Sequence, residues 1–158
     1  MRPVPSDAAA FVARHEGLRL ESYQDTGGVW TIGYGHTGAD VHAGLRISLG
    51  KAKAWLAQDL RVAAARLQAV VTRPVIDDLT ENQYAALLSF VFNLGAEPRW
   101  TIWKVLNARQ FDQVPVQLMR FVEAKETAHD VAEAAGGEAA VPAGVLDRWA
   151  GAIDRLRD

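Results

Sequence analysis

The spacing of apolar and polar residues changes period several times along the chain, and each change marks an element. From about Asp7 to Glu16 apolar residues recur at helical spacing, with Phe11 and Val12 on the buried face; Ser6 stands in N-cap position, and Gly17 is placed for a left-handed cap. From Leu18 to about Ile47 the helical period is lost. Tyr23, Val29, Trp30, Thr31, Ile32 and Tyr34 are interleaved with glycines, as in a small antiparallel sheet. Asp25-Thr-Gly-Gly28 reads as a hairpin turn, and Thr31-Ile-Gly-Tyr-Gly-His36 as the returning strand. Ser48 then caps a long helix, about Leu49 to Val71, whose stripe includes Ala52, Trp55, Leu56, Leu60, Leu67 and Val70.

Pro74 ends that run. Thr80-Glu-Asn-Gln83 is a capping box opening the most apolar helix, with Tyr84, Leu87, Leu88, Val91 and Phe92 on one face and Gly95 as its stop. Shorter helices are expected near Thr101–Ala108 and Asp112–Lys125, a loop over Ala134–Gly144 and a closing helix over Val145–Leu156. The fold class is α+β, mainly α. A small antiparallel β lobe (about 18–47) is joined by the long helix (about 49–71) to a larger helical lobe (about 72–158), packed with the N-terminal helix (about 7–16). The expectation is one domain over residues 1–158, with a cleft between the lobes.

Composition narrows the function. Apolar residues make up 49% of the chain, enough for a substantial core. There is no cysteine, which excludes a disulfide framework and a thiolate metal site. His42 and His129 are isolated, so neither metal nor cofactor is expected. No run of apolar residues is long enough to span a membrane, and Met1–Ala10 lacks the apolar stretch of a signal peptide. Synthesis in the cytoplasm without stable membrane insertion is therefore expected. A net charge of −2 argues against a nucleic-acid partner, which requires a basic face.

Candidate chemistry lies early in the chain. Glu16 ends a helix and Asp25 begins a hairpin turn, so two carboxylates approach from different elements. A glycosidase needs such a pair, one carboxyl protonated as acid and the other ionised to direct water or attack carbon. Phe11, Leu18 and Leu20 are the apolar neighbours expected to surround Glu16. Gly33 and Gly35 leave one strand face nearly bare, open to another backbone or to a sugar ring. Tyr23, Trp30 and Tyr34 are candidate sugar platforms, with packing inside the hairpin as the alternative.

Glu16-x8-Asp25-x5-Thr31, set between Glu-Gly-Leu-Arg-Leu and Thr-Ile-Gly-Tyr-Gly-His, resembles the signature of the phage-type lysozymes, the T4 lysozyme family of endolysins. The resemblance is dense from Phe11 to His36 and returns at Ile47–Asp59 and Leu79–Gly95. It implies a lysozyme-like fold and a muramidase cutting the bond between N-acetylmuramic acid and N-acetylglucosamine in peptidoglycan. It implies Glu16 as general acid, Asp25 and Thr31 as the groups that hold the attacking water, and an inverting course. It further implies a side-chain amide at Asn93 facing substrate, the alternative being an amide that satisfies its own helix. His36 and Asp59 match positions that form an ion pair, the alternative being two independent surface charges. The partners implied are peptidoglycan glycan strands, with a monomeric enzyme released by a separate holin-type protein.

Two other readings share parts of this pattern: a catalytically silent glycan-binding or structural module of a phage particle, and a lytic transglycosylase. The intact trio argues against the first, and a water clamp of Asp25 and Thr31 against the second. The C-terminal third departs from the family. Ala124 stands where a tryptophan is common, and Arg148 matches one of two expected arginines.

Overall fold

A computed structural model describes residues 1–120 except Thr26, Pro115 and Met119. The expected loop at 134–144, the closing helix at 145–156, Ala124, His129 and Arg148 lie outside the described residues. The first helix, α1, spans Ser6–His15, and its N-cap is Pro5 rather than Ser6. Proline's ring holds φ near the extended cap value, here −62°, so the helix starts without a side-chain cap. Its end also differs from expectation. Glu16 itself turns extended (φ −91°, ψ 142°) while its N–H still donates to Val12 O at 2.8 Å. Gly17 is not among the glycines with positive φ, so no left-handed cap is used.

Strands β1 (Arg19–Gln24) and β2 (Trp30–Gly33) form the expected hairpin, with Tyr23 opposite Thr31 and Gln24 opposite Trp30. The expected returning strand is broken. At Tyr34-Gly35 the chain reverses into a short third strand, β3 (His36–Thr37), which pairs antiparallel with β2. Gly33 and Gly35 make this reversal at φ +66° and +86°, a left-handed region in which L side chains are strained. The outer edge of β1 is covered: Ser22 N–H donates to Leu45 O and Ile47 N–H to Leu20 O, both at 2.9 Å. A paired edge does not recruit foreign strands.

Helix α2 (Leu49–Val70) is capped by Ser48, whose hydroxyl accepts from Lys51 N. Its N-terminal half carries the sheet. A Cβ at Gly33 would make ordinary contact with the Ala52 side chain at 3.5 Å, so the strand lies against the helix and the glycine is required by its positive φ rather than by space. Here Val12, Tyr34, Ala52, Leu56 and Leu60 form one buried cluster. The C-terminal half of α2 enters a larger cluster through Ala63, Ala64 and Leu67. Trp55 and Val70 of the expected stripe are only half-buried.

Pro74 was expected only to break the chain. It lies in the first turn of a helix of its own, α3 (Arg73–Asp78), where a missing N–H costs nothing. Helix α4 (Glu81–Leu94) has both bonds of the capping box, and Gly95 ends it at φ +82°. Fourteen residues make a marginal helix in water, so its persistence rests on packing. Tyr84, Leu87, Leu88, Phe90 and Val91 are all essentially inaccessible, each worth roughly 1.5–3 kcal/mol of burial.

Helix α5 (Thr101–Asn107) follows, and a short 3-10 turn at Phe111–Gln113 occupies the start of the helix expected from Asp112. The Asn107 amide clips two ends together, donating to Val70 O and accepting from Thr72 N. Arg2 clamps the other side. Its N–H donates to Gln68 Oε1, its guanidinium to Ile76 O and Leu79 O, and its carbonyl accepts from Tyr84 Oη–H.

Candidate active site

The hairpin turn is organised by Asp25. Its Oδ1 accepts from the N–H groups of Gly27 and Val29, both at 2.9 Å, while its own N–H donates to Val29 O. An aspartate bonding backbone groups two and four positions ahead closes a turn on itself. Oδ2 accepts no hydrogen bond among the described residues. The side chain is exposed, so this oxygen faces solvent. One carboxylate oxygen is thus fixed by the backbone and the other is open to water.

Thr31 sits across the turn, on β2. Its hydroxyl donates to Val29 O at 3.0 Å, and the residue is only 4% exposed. That bond uses the hydroxyl proton and leaves the oxygen lone pairs to accept. Asp25 and Thr31 are therefore both bonded to the backbone of one residue, Val29.

Glu16 approaches from the end of α1, with only Gly17 and Leu18 between it and β1. α1 packs against α4 and α2, which anchors the carboxylate's backbone to the helical body rather than to the sheet. Glu16 is half-buried. Of its expected apolar neighbours, Leu18 and Leu20 stand exposed and Phe11 is half-buried. The apolar surround expected from those two leucines is not built.

The cross-strand register shows how the site extends. Tyr23, Thr31 and Thr37 lie directly opposite one another across β1, β2 and β3, and such partners project from the same face. At the far end of this row Thr37 lines an open recess of about 230 Å³, bordered by Asp59 and Arg66 of α2 and Phe92 of α4. A cleft between the lobes is expected from the sequence, but not these lining residues, which come from segments far apart in the chain.

The candidate sugar platforms separate. Tyr34 is 8% exposed and packs with Val12, Leu56 and Leu60, so it belongs to the core and offers no face to a sugar. Gly33 likewise receives α2, not a ligand. Trp30 is half-buried at the start of β2, and Tyr23 carries the Arg19 guanidinium 4.6 Å above its ring. Asn93 follows the alternative reading: its Nδ2 donates to Ser89 O, one turn back, at 2.8 Å. Its Oδ1 has no partner among the described residues.

His36 and Asp59 meet, with Nδ1 and Oδ2 2.8 Å apart. The contact links β3 to α2, and His36 is 9% exposed. Two further contacts were not foreseen. Asp40 faces the other ring nitrogen at 3.1 Å, and the Trp55 ring stacks on the imidazole at a centroid distance of 4.3 Å. Lys51 Nζ lies over the same tryptophan, 5.0 Å from the ring centroid. Lys51, Trp55 and Asp59 recur every four residues along α2, a spacing that places them on one helix face and could have pointed to this array. Among the described residues no cluster of potential metal ligands occurs, and no helix is long and apolar enough to cross a membrane.

The chain is similar to known proteins. The phage lysozyme family profile matches residues 13–134. The endolysin of Acyrthosiphon pisum secondary endosymbiont phage 1 is 38% identical over 117 residues, covering 73% of this chain and 77% of that protein. The endolysin of Salmonella phage P22 is 34% identical over 117 residues, covering 70% and 77%. Among solved structures, the muramidase domain of SpmX from Asticaccaulis excentricus superposes with a TM-score of 0.76 at 24% identity, covering 100% of this chain and 99% of that one.

Proposed function

The chain belongs to the phage lysozyme family, glycoside hydrolases of the muramidase type, and from that membership we propose that it hydrolyses the β-1,4 bond between N-acetylmuramic acid and N-acetylglucosamine to lyse a host cell. The arrangement that carries the reading is the pair Asp25 and Thr31, both bonded to the Val29 backbone, with Glu16 at the end of α1. Glu16 gives its proton to the glycosidic oxygen as the bond to the anomeric carbon breaks. Water held by Asp25 Oδ2 and the Thr31 hydroxyl attacks that carbon, and its proton passes to Asp25. The products are a reducing sugar and a free hydroxyl on the leaving sugar.

The reaction asks no cofactor of these residues. Asn93 Oδ1 and the Trp30 ring are proposed contacts to the glycan, and His36 with Asp59 supports the sheet from behind. The enzyme acts as a monomer on glycan strands. It is made in the host cytoplasm and reaches the wall once a separate holin-type protein opens the membrane.

Glu16→Gln tests the assignment, because it removes the acid while keeping its shape. Loss of a general acid alone is worth about 10²–10⁴ in rate. Mass spectrometry of digested peptidoglycan reads the bond and the chemistry together. Reducing N-acetylmuramic acid ends from the wild type, and none from Glu16→Gln, are the expected result. Anhydro-muramic ends would make the protein a transglycosylase, and no cleavage a silent module.

A further inference from the structure

Arg2 is gripped through its backbone and its side chain together. The Gln68 amide accepts its N–H at 2.9 Å and donates to its carbonyl at 3.0 Å, so one side chain satisfies both backbone groups of one residue. The guanidinium donates to Ile76 O at 2.6 Å and Leu79 O at 2.8 Å, carbonyls at the end of α3, where helix geometry leaves such groups without a partner. It also lies over the Tyr84 ring, 4.5 Å from the centroid, while the Tyr84 hydroxyl donates to the Arg2 carbonyl. Arg2 is thereby fixed relative to α2, α3 and α4 at once.

The segment that follows is short and stiff. Pro3 and Pro5 each fix φ, and Val4 between them packs against both buried clusters. Pro5 is itself the N-cap of α1, and its carbonyl accepts from Ala8 N–H at 3.0 Å. α1 needs such an anchor. It has ten residues and no side-chain cap, too short to hold its form alone. Among the described residues Ala8 and Val12 are its fully buried ones, with Ala9, Phe11 and Ala13 partly so. A face built largely of alanine has shallow ridges, which resist sliding along the helix axis weakly. The end of this helix carries Glu16, about 15 Å from its start. Resting on the muramidase reading, we propose that Arg2 is a positioning residue for the catalytic acid: its grip fixes the Pro3–Pro5 strap, the strap fixes the start of α1, and α1 carries that register to Glu16. Asp25 and Thr31 stand on the hairpin, so the register of α1 sets how the acid meets them.

Kinetics on solubilised peptidoglycan strands, well below the melting temperature, test this in the full chain. A misplacement on the order of 1 Å from a change far from the chemistry can cost up to about 10²-fold in rate. Arg2→Ala is expected to lower kcat about tenfold and leave KM nearly unchanged. Arg2→Lys should recover part of the loss, since an ammonium still reaches the two carbonyls without the planar fork. Pro3→Gly combined with Pro5→Gly keeps every Arg2 contact but slackens the strap, and should lower kcat in the same direction. Asn107→Ala loosens the α2–α3 junction instead, and should lower the melting temperature with kcat unchanged. An unchanged kcat in Arg2→Ala overturns the proposal, as does an unchanged kcat in the proline pair. An equal kcat loss in Asn107→Ala also overturns it, because general destabilisation would then suffice. A second measurement is independent of turnover. The amide NMR signals of Val12 and Glu16 should move in Arg2→Ala and in the proline pair, and stay in place in Asn107→Ala. If the wild type cleaves no glycan, the muramidase reading fails, while these signals still decide whether Arg2 sets the register of α1; signals unmoved in Arg2→Ala overturn it.

Discussion

Asp25 and Thr31 are tied to each other through Val29, whose N–H donates to the Asp25 carboxylate and whose carbonyl accepts the Thr31 hydroxyl. The two side chains that would hold water thus share one backbone support. Thr31→Val keeps the shape and removes the hydroxyl, so it should lower kcat more than it weakens chitooligosaccharide binding. Asp25→Asn should do the same while retaining the acceptor for Gly27 and Val29. Turnover and binding measured separately decide the matter, and equal losses in both would make these residues binding groups.

The His36–Asp59 contact joins the sheet to α2 at a nearly buried ring. Asp59→Asn should cost about 1–3 kcal/mol, because a hydrogen bond to a charged carboxylate at a partly buried site becomes one to a neutral amide. Asp40→Asn, on a carboxylate that is half exposed, should cost under about 1 kcal/mol. Urea denaturation compares the two, and Trp55 fluorescence should respond to Asp59→Asn through the stacked imidazole.

Burial raises the pKa of the Tyr84 phenol above 10.0, opposed by its hydrogen bond with Gln68 and by Arg2 and Arg73. A raised folded value favours the neutral form in the native state. Its contribution is fully present below pH 10.0 and is lost as pH rises through the higher folded pKa. Wild type should therefore lose stability in that alkaline window, and Tyr84→Phe should lose less there. At neutral pH the substitution should cost about 1 kcal/mol, because the Gln68 amide and Arg2 carbonyl lose a partner. Melting temperatures across the alkaline range test both statements.

Arg109 ends α5 at φ +58°, with Arg109 N–H bonding Leu106 O and Gln110 N–H bonding Val105 O. Glycine normally fills this position, and the left-handed conformation costs other residues about 1 kcal/mol. The Arg109 side chain pairs with Asp78 at an exposed site, a contact worth about 0–1 kcal/mol. Arg109→Gly should leave stability unchanged or slightly higher, whereas Arg109→Ala should lower it. Calorimetry of both variants separates backbone strain from the ion pair.

What was legible in the sequence was chiefly local. Ser48 and the Thr80–Gln83 box announce α2 and α4 because capping needs only residues three apart. Asp25 and Thr31 were legible because a hairpin brings near neighbours together. The reversal at Tyr34-Gly35 was hidden, since aromatic and β-branched residues continue across it as they would in one strand; the two glycines flanking Tyr34 were its signal. Pro74 reads as a stop in the sequence, yet α2 already ends at Val70 and the fixed φ of Pro74 serves the start of α3. Tyr34 as core, Asp40 on His36 and the residues lining the recess depend on contacts between distant segments, which periodicity does not report.

The Arg2 clamp has a kinetic consequence. Its partners, Gln68, Ile76, Leu79 and Tyr84, lie 66 to 82 positions along the chain. A contact of that span gains nothing until α2, α3 and α4 have already docked, so it belongs to the last stage of folding. Removing it with Arg2→Ala should leave the refolding rate nearly unchanged and place almost the whole effect on unfolding. The first residues of the chain then act as a bolt thrown after the door is shut, setting how long the native state lasts rather than how fast it is reached.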